Sequence, residues 1–275
     1  MMGAHAVAVF FFLSGYGLSR AKNGTLRQDL TSMIVRLMRL LIPLGVLSLV
    51  FVLAMKWSGR PLRALFDIDG HPMFPHVWFA YALVYLYVMY SVAHLFLRKS
   101  WADVAVVCAV GVYYLTTRFV WGWGEWWWMT IFAFPVGIAF AYGEGILIGW
   151  IRKVGVWVYV GGLGLFLAIK LLTSVLYRLG CGDLFVRDIA LLMLGPLCAL
   201  AVYVLPVRKG WMAFLGGMTY ELYLIHGMLE VLLPQDFMGK VVYSLLVIGG
   251  AIPLAFVCAK LNGRMMRSMR GKITL

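Results

Sequence analysis

Nine apolar segments, each close to the length that crosses a bilayer's hydrocarbon core, follow one another along this chain and leave it few possible folds. They run over 3–18, 38–55, 77–97, 102–119, 126–146, 154–176, 186–206, 211–233 and 240–261. In hydrocarbon every backbone amide must be satisfied within its own helix or a closed barrel, and uninterrupted apolar runs select the helix. The expected fold is an all-α polytopic transmembrane helical bundle with about nine spans. Composition agrees, because 63% hydrophobic and 13% charged residues could not cover a soluble core. The connections are short and show no linker or repeat, so 1–275 reads as a single membrane domain.

The charges give the bundle a direction. Arg20, Lys22, Arg27, Arg36, Arg39, Arg98, Lys99, Arg152, Lys153, Arg208, Lys209, Lys260, Arg264, Arg267, Arg270 and Lys272 fall on one side of the alternating segments. That side holds 16 basic residues and the other holds 8. Basic residues gather in loops that stay in the cytoplasm, which puts the richer side, and the C-terminus, there. The net charge of +13 therefore points to membrane lipids as partners and not to nucleic acid. Trp121, Trp123, Trp126, Trp127 and Trp128 mark one membrane interface, and Trp101, Trp150, Trp157 and Trp211 the other. Nine spans with an inside C-terminus would leave Met1 outside, with no basic residue ahead of the first segment to orient it. The expectation is that one more span precedes residue 1 and that the domain is N-terminally truncated.

Polar groups inside hydrocarbon are costly, so those found there are the first candidates for chemistry. Ser14 and Gly15 close the run Phe10-Phe11-Phe12-Leu13; by themselves they read first as a small-residue notch for helix packing. Arg36 and Arg39, followed by Pro43, share a helical face at the mouth of the second segment, where forked donors suit phosphates or lipid headgroups. Thr219, Tyr223, His226 and Glu230 recur at helical spacing on one face expected to point into the bundle. His226 there is either a general base, a group that orients one, or a satisfied core histidine. Asp67, Asp69, His71 and His76 lead into Trp78 and read first as a solvated loop. Asp103, Glu144, Asp183 and Asp188 read as residues at segment ends. No metal site is expected, since none of Cys108, Cys181, Cys198 and Cys258 has a C-x-x-C partner. Phosphate-binding, dinucleotide, nucleophile-elbow and zinc-protease motifs are absent from the sequence.

Taken in order, these residues resemble the acyltransferase 3 family of multi-pass membrane proteins. Phe11-Phe12-Leu13-Ser14-Gly15-Tyr16 resembles its F-F-x-L-S-G element, and Arg36-x-x-Arg39 its R-x-x-R element. Trp78-Phe79 and the stretch Thr219-Tyr220 to Leu222-Tyr223-Leu224-Ile225-His226 resemble its W-[FY] and S-Y-x-x-Y-L-x-H elements. The resemblance implies ten helices in the complete fold and transfer of an acyl group, often acetyl from acetyl-CoA, to a carbohydrate hydroxyl. It implies no tightly bound cofactor, acyl-CoA as co-substrate, and a bacterial inner membrane. On the matching positions, Arg36 and Arg39 would hold the coenzyme A phosphates and Ser14 would shape the transfer site. His226 would position or support the base, with Trp78, Thr219 and Tyr223 as its support. The family's first-helix R-x10-H element has no counterpart here; His5 directly precedes the F-F-x-L-S-G run. The competing readings are a transporter or flippase for a charged or lipid-linked molecule, a degenerate inactive member, and a membrane assembly partner using Gly161, Gly162 and Gly164 for packing.

Overall fold

In a computed structural model the described residues are 2–21, 26–57, 59, 77–179, 185–204, 216, 218–232 and 237–273. All the regular structure among them is helical. The helices are α1 (Met2–Arg20), α2 (Leu26–Trp57), α3 (Trp78–Phe96), α4 (Lys99–Leu115), α5 (Ala133–Val154), α6 (Trp157–Arg178) and α7 (Phe185–Val204). They are followed by α8 (Thr219–Leu232), α9 (Phe237–Leu246) and α10 (Ile252–Ile273). A π-helical turn, Thr116–Val120, extends α4, and a second, Val247–Ala251, joins α9 to α10.

Six described segments are long and apolar enough to cross a membrane: Leu30–Trp57, Trp78–Phe96, Lys99–Val120, Ala133–Val154, Trp157–Leu176 and Val241–Met265. Asp188–Tyr203 is a shorter apolar helix. Their large apolar side chains face outward, Leu171 at 68% and Ile146 at 70% exposure, which only a hydrocarbon surrounding makes favourable. The protein is an integral membrane protein built of helices.

The boundaries differ from the apolar segments where hydropathy and hydrogen bonding part company. Helix α2 begins 12 residues before the segment at 38 and is 32 residues long, about 48 Å at 1.5 Å per residue. That exceeds a hydrocarbon core of roughly 30 Å, so its polar N-terminal third is helix beyond the apolar stretch. The tryptophan run 121–128 falls outside any α-helix, in a turn with a 3-10 helix over Glu125–Trp127. Pro135 lies in the first turn of α5, where a missing N–H breaks nothing; Pro253 follows the π-turn within the continuous span Val241–Met265, and Pro43 and Pro196 lie inside their helices.

The chain divides into two compact units. Unit 1 comprises Met1–Thr25 and Val88–Val207, unit 2 Leu26–Tyr87 and Arg208–Leu275. In unit 1, α1 packs on α5 and α7, with α6 against α7 and α4 against α5. Glycines set the α1–α5 distance: a Cβ on Gly15 would sit 2.1 Å from the Phe134 carbonyl oxygen, and one on Gly137 2.0 Å from that of Phe12. The small-residue notch read at Gly15 is thus a main-chain contact between helices. In unit 2, α2, α8 and α10 pack on one another.

Candidate functional site

Within unit 2 the candidate site forms around α8. Thr219 opens the helix, its hydroxyl donating to the Gly216 carbonyl at 3.1 Å. The buried ring of Tyr223 meets the edge of Phe79 at 4.4 Å between centroids and that of His226 at 4.9 Å. Phe79 in turn touches Trp78 at 6.4 Å, so Trp78, Phe79, Tyr223 and His226 form a continuous aromatic file. His226 Nδ1 lies 3.3 Å from the Leu222 carbonyl oxygen. A carbonyl only accepts, so this contact puts a proton on Nδ1, and in a neutral ring the lone pair then falls on Nε2. That tautomer is the one a general base requires.

Tyr223 is buried and Thr219 and His226 are half-buried. The opposite face, with Glu221, Leu224 and Ile225, is buried too. Among its described side chains, the face of α8 opposite the stripe expected to point inward is therefore the more fully buried one.

The arginine pair lies on α2, with Arg36 half-buried and Arg39 exposed. Pro43 has no N–H to give to the carbonyl of Arg39 four residues earlier. That carbonyl accepts instead from Asn262 Nδ2 of α10 at 3.3 Å. The same amide nitrogen reaches Glu221 Oε1 of α8 at 3.3 Å, and Tyr220 donates its hydroxyl to the Leu40 carbonyl at 2.8 Å. The proline thus opens the turn that carries Arg39, and side chains of α8 and α10 fill the opening. Glu221 and Asn262, at 4% and 7% exposure, went unremarked in the sequence reading. The available signal was Pro43, exactly one helical hydrogen bond after Arg39.

Ser14 belongs to α1 in unit 1, half-buried beside the Gly15–Phe134 contact. Two residues on, Tyr16 donates to Glu144 Oε1 of α5 at 2.9 Å. Tyr203 of α7 donates to the same oxygen, and Arg20 Nη2 is 3.3 Å from Oε2. Glu144 is 6% exposed and sits in mid-helix, ten residues before the end of α5, so its reading as a segment-end residue is corrected. It ties α1, α5 and α7 together behind the F-F-F-L-S-G run. Asp103, in the second turn of α4, accepts from Tyr142 at 2.5 Å and pairs with His94 at 3.1 Å. The stretch Asp67, Asp69, His71 and His76, like Cys181 and Asp183, lies outside the described residues.

Residues 1–260 match the family described as Acyltransferase domain, across both units. The chain belongs to the acyltransferase 3 family. This acyltransferase 3 protein has no match among curated proteins or solved structures. Its motif residues all fall on helices, and the elements around Arg39, Trp78 and His226 are held in one compact unit.

Proposed function

We propose that the chain is a membrane O-acyltransferase that moves an acyl group, acetyl in the simplest case, from acyl-coenzyme A to a carbohydrate hydroxyl. The observation that carries the reading is the coupling of the arginine helix to the histidine helix. Tyr220 and Glu221 of α8 engage α2 at residues 39–40, directly or through Asn262, and His226 lies six residues further along α8, about 9 Å. Arg36 and Arg39 hold the coenzyme A phosphates with forked donors.

The hydroxyl oxygen attacks the thioester carbonyl and its proton passes to Nε2 of His226. The carbon–sulfur bond then breaks, and the thiolate leaves with that proton as free coenzyme A. Trp78 and Tyr223 fix the imidazole through the aromatic file, and Thr219 holds the start of its helix. Ser14 is assigned to shaping the transfer site on its motif alone. The topology that accompanies this reading has nine spans and a cytoplasmic C-terminus in a bacterial inner membrane, with acyl-coenzyme A on the arginine side.

Membranes carrying the chain, given radiolabelled acetyl-CoA and surface glycan, should transfer label to the glycan. His226→Ala should lower that rate roughly 10²–10⁴-fold. Transfer unaffected by His226→Ala would remove the histidine from the mechanism, and glycan labelling no greater than with empty membranes would sink the enzyme reading.

A further inference from the structure

Unit 1 contains a cavity of about 330 Å³ that the acyl-transfer reading does not use. Its walls come from Tyr114 of α4, Phe132 ahead of α5, Val136 and Ala139 of α5, and Asp188 and Leu192 of α7. Two prolines account for the space. Pro135 lies in its wall, and Pro196, inside the continuous helix α7, leaves the carbonyl of the lining residue Leu192 without its helical N–H donor. The lining is apolar apart from the Tyr114 hydroxyl and Asp188, whose residue is 7% exposed. The volume lies at the lower end of small-molecule sites.

A fixed cation adjoins this apolar space. Arg118, on the π-helical turn after α4, donates from Nη1 to the hydroxyl of the lining residue Tyr114. Its guanidinium lies 4.4 Å over the Trp128 ring and 5.0 Å over that of Phe119. Trp128 meets Tyr114 edge-on at 5.4 Å, so the arginine, two aromatic rings and the cavity wall make one packed group. A π-turn in a long helix is often found at a functional position. The neighbouring rings of Trp121 and Trp123 lie tilted together at 4.5 Å, and such a tryptophan-rich turn belongs at headgroup level in a bilayer. The cavity is therefore apolar where hydrocarbon would lie and cationic where phosphates lie.

We propose that this cavity takes one acyl chain of a membrane glycerophospholipid whose phosphate rests on Arg118. The two halves of such a lipid match the two halves of the site. The apolar walls accept the chain, and the guanidinium, already oriented by Tyr114 and Trp128, gives a forked donor to the phosphate. Asp188, the acidic residue of the wall, offers a phosphate no complementary charge, so the headgroup belongs at the arginine end. This inference is independent of the acyl-transfer reading, since it concerns a lipid that is held and not converted.

The full chain, purified in detergent without acyl donor, is titrated with dioleoylphosphatidylglycerol and the bound lipid is counted by native mass spectrometry. Arg118→Ala should weaken retention about tenfold, the value of one charge-assisted contact. Arg118→Lys should recover most of it. Ala139→Phe, which adds a ring at an exposed position of the lining, should abolish retention of the same molecule. Each variant's melting temperature is recorded without lipid, so that only folded protein is compared. Retention equal to wild type in both Arg118→Ala and Ala139→Phe overturns the proposal. So does displacement of the phospholipid by an equimolar polyprenyl phosphate, which would make the site one for a lipid-borne substrate.

Discussion

Among the described residues, each of the two units buries one glutamate at the meeting of three helices, and the two are satisfied very differently. Glu144 in unit 1 receives two phenolic hydroxyls and a guanidinium. Among the described residues, Glu221 in unit 2 receives one side-chain amide, from an asparagine whose nitrogen is shared with the Arg39 carbonyl. A buried carboxylate with two hydroxyl donors and a guanidinium ion-paired beside it holds its helices together. One with a single amide donor adds little net stability, because its desolvation is barely offset. What Glu221 does instead is place a carboxyl group and an amide at the turn that Pro43 opens beside Arg39. The glutamate of unit 1 thus serves packing, and in the proposed reading that of unit 2 supports the turn that carries Arg39.

Glycines show where helices meet closely. Gly15, Gly137, Gly162 and Gly195 of unit 1 have atoms of another helix within 3 Å of where a Cβ would stand, whereas Gly17, Gly143 and Gly149 of the same unit and Gly45, Gly249, Gly250 and Gly263 of unit 2 have open space. The largest effect is therefore expected from Gly137→Ala. Its Cβ would overlap a main-chain oxygen that cannot rotate away, at about 3 kcal/mol or more, so the variant should melt far lower or fail to fold. Gly45→Ala, in the interior of α2, should be neutral or stabilising by about 0.5–1 kcal/mol. If both glycines tolerate alanine equally in a thermal melt, the close packing assigned to unit 1 is wrong.

Next in size is Glu144→Ala, which strands two tyrosine hydroxyls. Because the Arg20 side chain is 61% exposed and keeps its hydration, the loss should be nearer 2 kcal/mol than the 3–5 of a fully buried pair. Glu221→Gln is isosteric and should change stability by under about 1 kcal/mol, since an amide oxygen can still accept from Asn262. It should nevertheless shift coenzyme A affinity, through the turn at Arg39. A chemical-denaturation series that ranks Glu221→Gln below Glu144→Ala would reverse the comparison. The smallest effect is expected from Thr219→Ala, about 0.5–1 kcal/mol for one exposed side-chain-to-carbonyl bond, read from the same series.

Hydropathy recovered the apolar core of nearly every helix, since α1, α4, α6 and α7 begin and end within a few residues of their segments. It misplaced α5, because five tryptophans raise the apolar signal of a turn at the membrane surface. That one shift moved Glu144 from a supposed segment end to the middle of a helix. It also missed the first 12 residues of α2, where Arg27, Gln28 and Asp29 are polar but helical. Motif spacing singled out the arginines, Trp78 and the His226 stripe, which the structure brings into one compact unit. It could not find Glu144, Glu221 or Asn262, whose importance lies in which carbonyl or hydroxyl of a distant helix they meet. Only Pro43 carried a local trace of that, through the hydrogen bond it cannot make.

The central claim, that α2 presents a coenzyme A site, is tested most directly by equilibrium binding of coenzyme A to the purified chain and to the Arg36→Ala/Arg39→Ala double variant. Two forked contacts to phosphate are each worth about 1.5–3 kcal/mol, so the double variant should bind at least 100-fold more weakly at unchanged melting temperature. Equal affinity in the two proteins would contradict the account and leave the arginines as anchors to lipid headgroups.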